Sequence, residues 1–450
     1  MKVRFAPSPT GYIHVGNCRT ALVNWLFARK YGAIFLLRLD DTDTERCDQK
    51  YVDALLRDWA WLGLNYDEFA QQSRRLDRYE DAIETLKKSG RLYPCYETPE
   101  ELDYKRKMRL KQGLPPLYDR ESLKLTEAQR SQYEKEGRKP HWRFLIQESP
   151  IQWDDTVRGS THFEGANLSD PVLVRESGTV VYMLASVVDD IDMGVTHIIR
   201  GEDHVSNTAI QIQLMEALGG DPSLFHFAHL ALLSGEKGEP LGKRLGSLGI
   251  QDFRAQGILP MAINSLLGKI GTSDAIYPYH KMDDLIQSFD ITHFSRGTAK
   301  FSFTQLQQLN RKILQTLPFQ EARRLVDVEN MTPNFWKVVQ HNIESLHEAK
   351  TWWETCHTKG EGIVVPEDYP YIQEALTLLP PAPWDDNPWD SWISLLKEKT
   401  GRQGKSLFMP LRLALTGQEH GPELKMIVHL LGHDLVHDKL EEALVHDPSL

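Results

Sequence analysis

Several features are scarce or missing in this sequence, and each absence excludes a class of protein. Only four cysteines occur, and none forms a CxxC pair, so we predict reduced thiols in a cytoplasmic protein without a disulfide framework or a cysteine zinc site. No apolar run approaches the ~18–20 residues of a membrane span, and the N-terminus lacks the pattern of a signal peptide. Basic residues do not predominate: 52 Lys and Arg face 63 Asp and Glu, for a net charge of −11. Binding of a polyanion would therefore need local basic patches.

The chain does contain enough apolar sequence for sizeable cores. Its 450 residues are 41% hydrophobic and 26% charged, which is typical of a soluble globular protein of two to four domains.

The first 45 residues are typical of a βαβ unit. The strand "KVRF" is stopped by Pro7, Pro9 and Gly11. Asn17 is then predicted to cap a helix that ends near Gly32, and the apolar strand "AIFLLRLDDTD" runs directly into acidic residues. Such a unit implies a parallel sheet with ligands at the carboxyl ends of its strands.

The character of the sequence changes along the chain. A charged, irregular segment follows the βαβ unit, apolar strands and helices then return, and the last third has helical spacing throughout. We therefore predict an α/β, Rossmann-like parallel-sheet domain with an insertion, followed by an all-α region. The predicted parts are residues 1–75, 76–170, 171–305 and 306–450.

Two loops have the composition of phosphate-binding segments. His14 and Gly16 precede a predicted helix N-terminus, where free N–H groups and the helix dipole favour an anion. The loop "LGKRLGS" carries Lys243 and Arg244 between glycines and follows an apolar strand, so it could close over a triphosphate. Each loop taken alone also fits an ordinary surface turn.

Four segments, taken together, resemble one family. "RFAPSPTGYIHVGN" is similar to the first signature of class I aminoacyl-tRNA synthetases, in the form used by glutamyl-tRNA synthetases. His14, Val15, Gly16 and Asn17 stand where that family has His-Ile-Gly-His or His-Ile-Gly-Gly. The segments "LRLDDTDTER", "VVDDIDMGVTHIIRGEDH" and "GRQGKSLFMPLRLALTGQEHGPEL" also resemble the family, so the similarity extends to within about 25 residues of the C-terminus.

The resemblance implies an activity and an architecture. The activity is ATP-dependent attachment of L-glutamate to tRNA(Glu) through a glutamyl-adenylate, with ATP used together with Mg²⁺ by a cytoplasmic monomer. Charging of tRNA(Gln) as well is left open. Residues 76–170 would be the acceptor-binding insertion, 171–305 the second catalytic half with a stem-contact region, and 306–450 the anticodon-binding region.

The resemblance also implies roles for individual residues. His14 and Lys243 would be the catalytic pair on the ATP phosphates. Asp40 would accept hydrogen bonds from the substrate ammonium, while Arg4, with Tyr182, and Arg200 would hold the two carboxylates in an order that the sequence does not fix. The implied ATP site is Pro7, Thr10, Gly11, His14, Gly16, Asn17, Lys243 and Arg244, and the implied glutamate site is Arg4, Ser8, Asp40, Tyr182 and Arg200.

The sequence departs from the family at three places. Asp40 lies in "DDTD" where many relatives have "EDTD". In the basic loop, Pro240 and Gly242 replace the family's first lysine and its serine, which puts the pace of loop closure in question. Some relatives bind zinc through cysteines of the insertion, but only Cys95 is left here, so no structural zinc is expected.

Contacts with tRNA are expected from basic patches, because the net charge is negative. Such clusters also occur as solvated helix faces. The predicted patches are Lys105, Arg106, Lys107 and Arg109 for the acceptor stem, and Lys399, Arg402 and Lys405 for the anticodon.

Four alternatives compete with this interpretation. A trimmed relative that glutamylates a modified tRNA base should lack residues 305–450. A glutaminyl-tRNA synthetase should begin closer to "PPEPNG" than to "APSPTG" and should carry β-barrels in place of the helical region. A catalytically inactive binding protein should have lost His14 or Lys243, and both are present. An unrelated nucleotide-binding scaffold does not explain all four segments.

Overall fold

A computed structural model describes residues 1–43, 45–239, 241, 249–360, 362–384 and 388–445. The chain forms two compact units. Unit 1 comprises residues 1–252, 264–277 and 281–302, and unit 2 comprises residues 253–263, 278–280 and 303–450. The division into four parts stays a prediction.

The strands within the described residues are β1 Lys2–Phe5, β2 Ile34–Leu39, β3 Glu68–Gln71, β4 Leu92–Cys95, β5 His141–Phe144, β6 Pro150–Asp155, β7 Gly159–Glu164, β8 Val172–Val174, β9 His197–Gly201, β10 His226–Leu230, β11 Leu233–Ser234 and β12 Ala299–Lys300. The α-helices are α1 Val15–Tyr31, α2 Gln49–Trp61, α3 Leu76–Lys88, α4 Pro99–Lys111, α5 Glu127–Lys135, α6 Tyr182–Asp192, α7 Val205–Ala217, α8 Ile250–Ala255, α9 Pro260–Lys269, α10 Met282–Ser288, α11 Phe303–Leu314, α12 Phe319–Leu325, α13 Pro333–Val339, α14 Leu346–His357, α15 Tyr369–Thr377, α16 Pro388–Thr400, α17 Lys405–Thr416 and α18 Leu424–Leu444.

Unit 1 is organised around a seven-stranded sheet in the order β3-β2-β1-β9-β10-β6-β7. Neighbouring strands are parallel except for β6 and β7, which form an antiparallel hairpin at one edge. The predicted parallel α/β architecture is therefore confirmed. The carboxyl ends of β1, β9 and β10 lie side by side, which is where a parallel sheet presents its ligand site.

Helix α1 links β1 to β2 and packs on the sheet through fully buried side chains such as Leu22 and Leu26. The prediction that it ends at Gly32 is confirmed, because this glycine has φ 64° and its N–H donates to the Ala28 carbonyl. The prediction that Asn17 caps the helix is wrong. The helix begins at Val15, and the capping side chain is that of His14.

The charged segment after α3 contains a second, smaller sheet in unit 1. Strands β4, β5 and β8 form it in antiparallel pairs, with Leu92 opposite Phe144. The following hairpin, β6 and β7, belongs to the main sheet through the pair Phe227 and Asp155. Helices α4 and α5 contribute no fully buried residue; their side chains are exposed or half-buried.

Unit 2 is helical apart from its connecting segments. Two buried tryptophans anchor it: the Trp336 indole N–H donates to the Leu317 carbonyl, and the Trp392 indole N–H donates to the Ala375 carbonyl, each at 2.9 Å. Helix α18 is interrupted at Gly432, whose φ of 74° and ψ of 169° are not helical. The predicted all-α region is confirmed.

No helix within the described ranges combines the length and the apolar character that crossing a membrane requires.

Candidate active site

A cavity of about 730 Å³ opens at the carboxyl ends of β1, β9 and β10. Three arginines line it, Arg4, Arg19 and Arg200, and Asp203 is the single carboxylate among its described lining residues. This cavity therefore has an excess of positive charge in a chain whose net charge is −11. Such a cavity favours anionic ligands.

His14 lies at the cavity wall and begins α1. Its Nδ1 accepts hydrogen bonds from the backbone N–H groups of Gly16 and Asn17, at 3.2 and 3.4 Å. Nδ1 is therefore unprotonated, and the remaining proton is assigned to Nε2. Burial also lowers the pKa of His14, which favours this neutral form. The ring thus presents an N–H donor on the side away from the helix.

Arg4 lies near the end of β1, lines the cavity and is 4% exposed. Its Nε donates to the Asp190 carboxylate of α6, at 3.2 and 3.4 Å. Arg38 binds the same carboxylate at 2.8 Å. Burial acts to raise the pKa of Asp190, but the two arginines hold it below its usual range. Within the described chain, the two terminal nitrogens of Arg4 have no hydrogen-bond partner and are free for a ligand.

Asp40 follows β2 but is not among the residues that line the cavity. Its carboxylate accepts from Arg38 Nε at 2.8 Å and is 6% exposed. Burial raises the pKa of Asp40 to about 6, against the opposing effect of Arg38. A role in binding the substrate ammonium stays a prediction, and it would require Asp40 to be shared with Arg38.

Arg200 projects from β9 into the cavity wall and is 5% exposed. Its Nη1 donates to the hydroxyl of Tyr182, the first residue of α6, at 3.3 Å. Its other nitrogens contact neutral side chains. Burial lowers the pKa of Arg200. Two arginines on adjacent strands therefore face one cavity, each with a different set of partners.

Most residues predicted for ATP and glutamate meet in this cavity. Those that line it are Arg4, Pro7, Ser8, Thr10, His14, Gly16, Asn17, Tyr182 and Arg200. Gly11 and Asp40 do not line it. Lys243 and Arg244, together with Pro240 and Gly242, lie outside the described residues.

The sequence interpretation missed Arg19, which lines the cavity from α1. Its Nη1 donates to the Ala231 carbonyl at 2.6 Å, just after β10, while Nε and Nη2 are buried with no hydrogen-bond partner among the described residues. Burial lowers the pKa of Arg19 to about 10. Its position five residues after the His14 cap was available in the sequence, but a single arginine in an apolar helix does not indicate a site.

Of the predicted tRNA-binding residues, all but Arg402 lie on helices, and Arg402 lies in the connection between α16 and α17. On α4, Lys105 is ion-paired with Glu97, Asp119 and Glu121, and Lys107 with Asp103. Arg106 is exposed on the same helix.

The remaining members of this set have simpler surroundings. Arg109 donates to the Pro115 carbonyl at 2.8 Å. In unit 2, Arg402 pairs with Asp368, and Lys399 and Lys405 are exposed. Their contacts with tRNA stay predictions.

Cys95 belongs to a hydrogen-bonded cluster. Cys95 is buried, and burial raises the pKa of its thiol to about 11. The Tyr118 hydroxyl lies 3.5 Å from this sulfur and 2.8 Å from the Glu97 carboxylate, which also accepts from Ser122 at 2.8 Å. The expectation of no structural zinc stays a prediction.

Comparison with known proteins identifies the family. Residues 1–308 match the catalytic domain of class I tRNA synthetases (E and Q), and residues 359–444 match an anticodon binding domain. The chain is 51% identical over 443 residues to a glutamate–tRNA ligase of Azospirillum brasilense, covering 97% of this chain and 98% of the relative. It is 49% identical over 444 residues to glutamate–tRNA ligase 2 of Gluconobacter oxydans, covering 99% and 100%.

A solved structure is similar over the same length. The crystal structure of a glutamate tRNA ligase from Elizabethkingia meningosepticum in complex with its amino acid has a TM-score of 0.82 and 26% identity, covering 99% of both chains. Sequence, domain content and fold agree, and the chain therefore belongs to the glutamate–tRNA ligases, a family of class I aminoacyl-tRNA synthetases.

Proposed function

We propose that this chain activates L-glutamate with ATP in the cavity described above and transfers it to tRNA(Glu). In the first step the α-carboxylate of glutamate attacks the α-phosphorus of ATP, and the bond to pyrophosphate breaks. In the second step a hydroxyl of the terminal ribose of the tRNA attacks the acyl carbon, and AMP leaves. The proposal rests on one observation: the N-terminus of α1, Arg4 and Arg200 line the same positively charged cavity.

His14 suits the ATP side of this cavity. Its Nε2–H donor, together with the N-terminus of α1, would stabilise negative charge that develops on the phosphates in the transition state. A Cβ added to Gly16 would lie 3.2 Å from the His14 ring, so glycine at this position supports both the ring orientation and close approach of the nucleotide. Lys243, from the basic loop, would bind the departing pyrophosphate.

The two arginines suit the two carboxylates of glutamate. Arg4 and Arg200 are each buried, and each contributes nitrogen donors to the cavity wall. A guanidinium binds a carboxylate through two charge-assisted hydrogen bonds, but an amide offers it one acceptor. We infer that Arg4, with Tyr182, selects glutamate over glutamine and that Arg200 binds the other carboxylate.

ATP is inferred to enter as its Mg²⁺ complex. Asp203 is the one carboxylate of the described cavity lining, and Mg²⁺ is commonly held by few carboxylates together with substrate phosphates. Contacts of α4 with the acceptor stem and of unit 2 with the anticodon are inferred from their basic residues. We also infer a cytoplasmic monomer.

Charging assays with purified tRNA(Glu) and tRNA(Gln) test this function. The expected result is attachment of labelled glutamate to tRNA(Glu), dependent on ATP, with no attachment of glutamine to either tRNA. Glutamate on both tRNAs would extend the substrate range without changing the chemistry. Attachment of glutamine would overturn the proposal in favour of a glutaminyl-tRNA synthetase.

A further inference from the structure

A buried chain of polar groups stands behind Arg200. Its Nε lies 3.2 Å from Nε2 of His229, which is fully buried on the neighbouring strand β10. His229 Nδ1 is hydrogen-bonded in turn to the carboxylate of Asp155, at the end of β6. Arg200 and His229 are register neighbours, so this series of hydrogen-bonded side chains crosses three adjacent strands of the sheet.

The proton positions in this chain follow from its donors. Arg200 Nε carries a hydrogen and can only donate, so His229 Nε2 must accept and carries no proton. The imidazole proton is therefore on Nδ1, directed at Asp155. Backbone N–H groups of Val157 and Arg158 donate to the same carboxylate at 3.0 and 2.9 Å, which stabilises its ionised form.

Two further side chains complete the environment of Arg200. Its Nη2 donates to the Thr208 hydroxyl and to Gln211 Oε1, each at 2.6 Å. The Thr208 hydroxyl also lies 2.9 Å from His229 Nε2. Within the described part of the chain, no carboxylate lies within ion-pair distance of Arg200, in contrast to Arg4 and its partner Asp190. Its positive charge is thus held by neutral acceptors and is left for a ligand.

We propose that His229, oriented by Asp155, is a positioning residue that holds the Arg200 guanidinium in its glutamate-binding orientation only while the imidazole is neutral. This rests on the proposed binding of a glutamate carboxylate by Arg200. Protonation of His229 would place an N–H against the Arg200 N–H and a second positive charge beside the guanidinium. The arginine would then lose its buried acceptor and turn away from the substrate.

The charges around His229 support a neutral imidazole. Burial lowers the pKa of His229, the neighbouring cations Arg200 and Arg158 lower it further, and Asp155 opposes them. His204, which lines the cavity, is another titratable group close enough to interact with it. The affinity for glutamate should therefore fall on the acidic side of neutrality, as His229 takes up a proton.

A matched pair of variants separates this role from simple packing. His229→Gln can retain an acceptor at the position of Nε2, while His229→Leu keeps an apolar side chain without one. In aminoacylation assays we expect His229→Leu to raise the KM for glutamate about tenfold or more, as for a lost hydrogen bond to a charged group, with the KM for ATP unchanged. His229→Gln should stay within about threefold of wild type. Equal KM values for the two variants would overturn the proposal.

A measurement on the unaltered chain covers the case in which His229→Leu does not fold. Histidine-selective ¹⁵N labelling should show His229 as the neutral tautomer protonated at Nδ1, and the Kd for glutamate should rise as that signal titrates. A charged ring or an Nε2–H tautomer at neutral pH would contradict the proposal. Arg200→Gln distinguishes the proposed role of Arg200 from that of His229. Unchanged glutamate binding in this variant would refute the binding of glutamate by Arg200. If the variant loses binding but the wild-type Kd does not change with pH, only the role of His229 is refuted.

Discussion

At the scale of single residues, the site depends on a buried network of opposite charges. Arg38 contacts Asp40, Asp189 and Asp190, and Arg4 shares Asp190 with it. Such a network stabilises a fold only while every member is paired, because an uncompensated buried charge costs about 3–5 kcal/mol. Its arginines are therefore fixed in position before any substrate binds.

Replacement of Arg4 tests how glutamate is selected. Arg4→Gln removes the guanidinium, while Asp190 keeps its 2.8 Å contact with Arg38, so the fold should persist. The KM for glutamate should rise about tenfold or more, with a far smaller change for ATP, and the preference over glutamine should fall. The readout is pyrophosphate exchange with each amino acid in the presence of tRNA.

Arg29→Gln is a suitable control, since Arg29 forms a surface ion pair with Asp67. An Arg4→Gln enzyme that kept full selectivity for glutamate would remove Arg4 from the specificity site.

The sequence predicted which residues lie at the site better than it predicted which side chains they contact. An acid at the end of β2 indicated a ligand contact for Asp40, yet Arg38, two positions earlier on the same face of that strand, occupies its carboxylate. Arg38 also reaches Asp190, which lies on α6 more than 150 positions later. Pairs of this kind depend on tertiary packing, which local patterns do not encode.

At the scale of elements, the start of α1 serves both stability and the site, because His14 caps the helix and also lines the cavity. Spacing predicted the helix and its end at Gly32, but it placed the cap at Asn17, because asparagine is a usual capping residue and histidine is not. The β6–β7 hairpin falls within residues 76–170, the predicted insertion, and its pairing with β10 could not be predicted because it joins strands that are distant in sequence.

Two substitutions at the cap separate stability from activity. His14→Asn keeps a side-chain acceptor for the backbone N–H groups of Gly16 and Asn17, so the free energy of unfolding should be nearly unchanged. His14→Ala removes that acceptor and should cost about 1 kcal/mol. Both variants lack the Nε2–H donor, and both should slow adenylate formation by about 10²-fold or more.

Denaturant unfolding and single-turnover activation give the two readouts. Near-normal activation in His14→Asn would show that His14 is a helix cap and nothing more.

At the scale of the whole molecule, acid should weaken the fold through two half-buried histidines. Burial, more than any neighbouring charge, lowers the pKa of His141 and of His197 to about 4. Between pH 6.5 and 4 the unfolded chain therefore binds protons that the folded chain does not, so stability falls as the pH falls through that range.

The measurement is the urea midpoint at several pH values from 7.5 to 5. His197→Phe keeps a ring against Phe27 and removes the titrating group, so its midpoint should fall less than that of wild type. His420→Phe, at an exposed position, is the control and should follow wild type. An identical fall in all three proteins would show that His197 does not contribute.

The segments of the two units alternate along the sequence, which makes it difficult to produce unit 1 as a separate fragment. A fragment ending near residue 302 contains all of unit 1 but also carries residues 253–263, which belong to unit 2. That segment includes Phe253 and Leu259, which are buried in the full chain, and the Leu259 N–H donates to the Asn310 side chain at 2.8 Å.

We therefore expect fragment 1–302 to aggregate unless residues 253–263 are made polar or replaced by a short linker. Size-exclusion chromatography of the fragment, with and without that replacement, is the measurement. A monodisperse, stable fragment with the native segment would contradict this expectation.

The same interleaving has a consequence for synthesis on the ribosome. The chain passes between the units five times, within α8 and α9 and at residues 277/278, 280/281 and 302/303. Residues 253–263 leave the exit tunnel before any of the helices from α11 onward exist, at a translation speed of roughly 5–20 residues per second. For several seconds the nascent chain must therefore expose an apolar segment whose packing partners have not been translated. We expect chaperones to bind this segment during that time. Residues 253–263 can then be buried only after the helices of unit 2 have been synthesised.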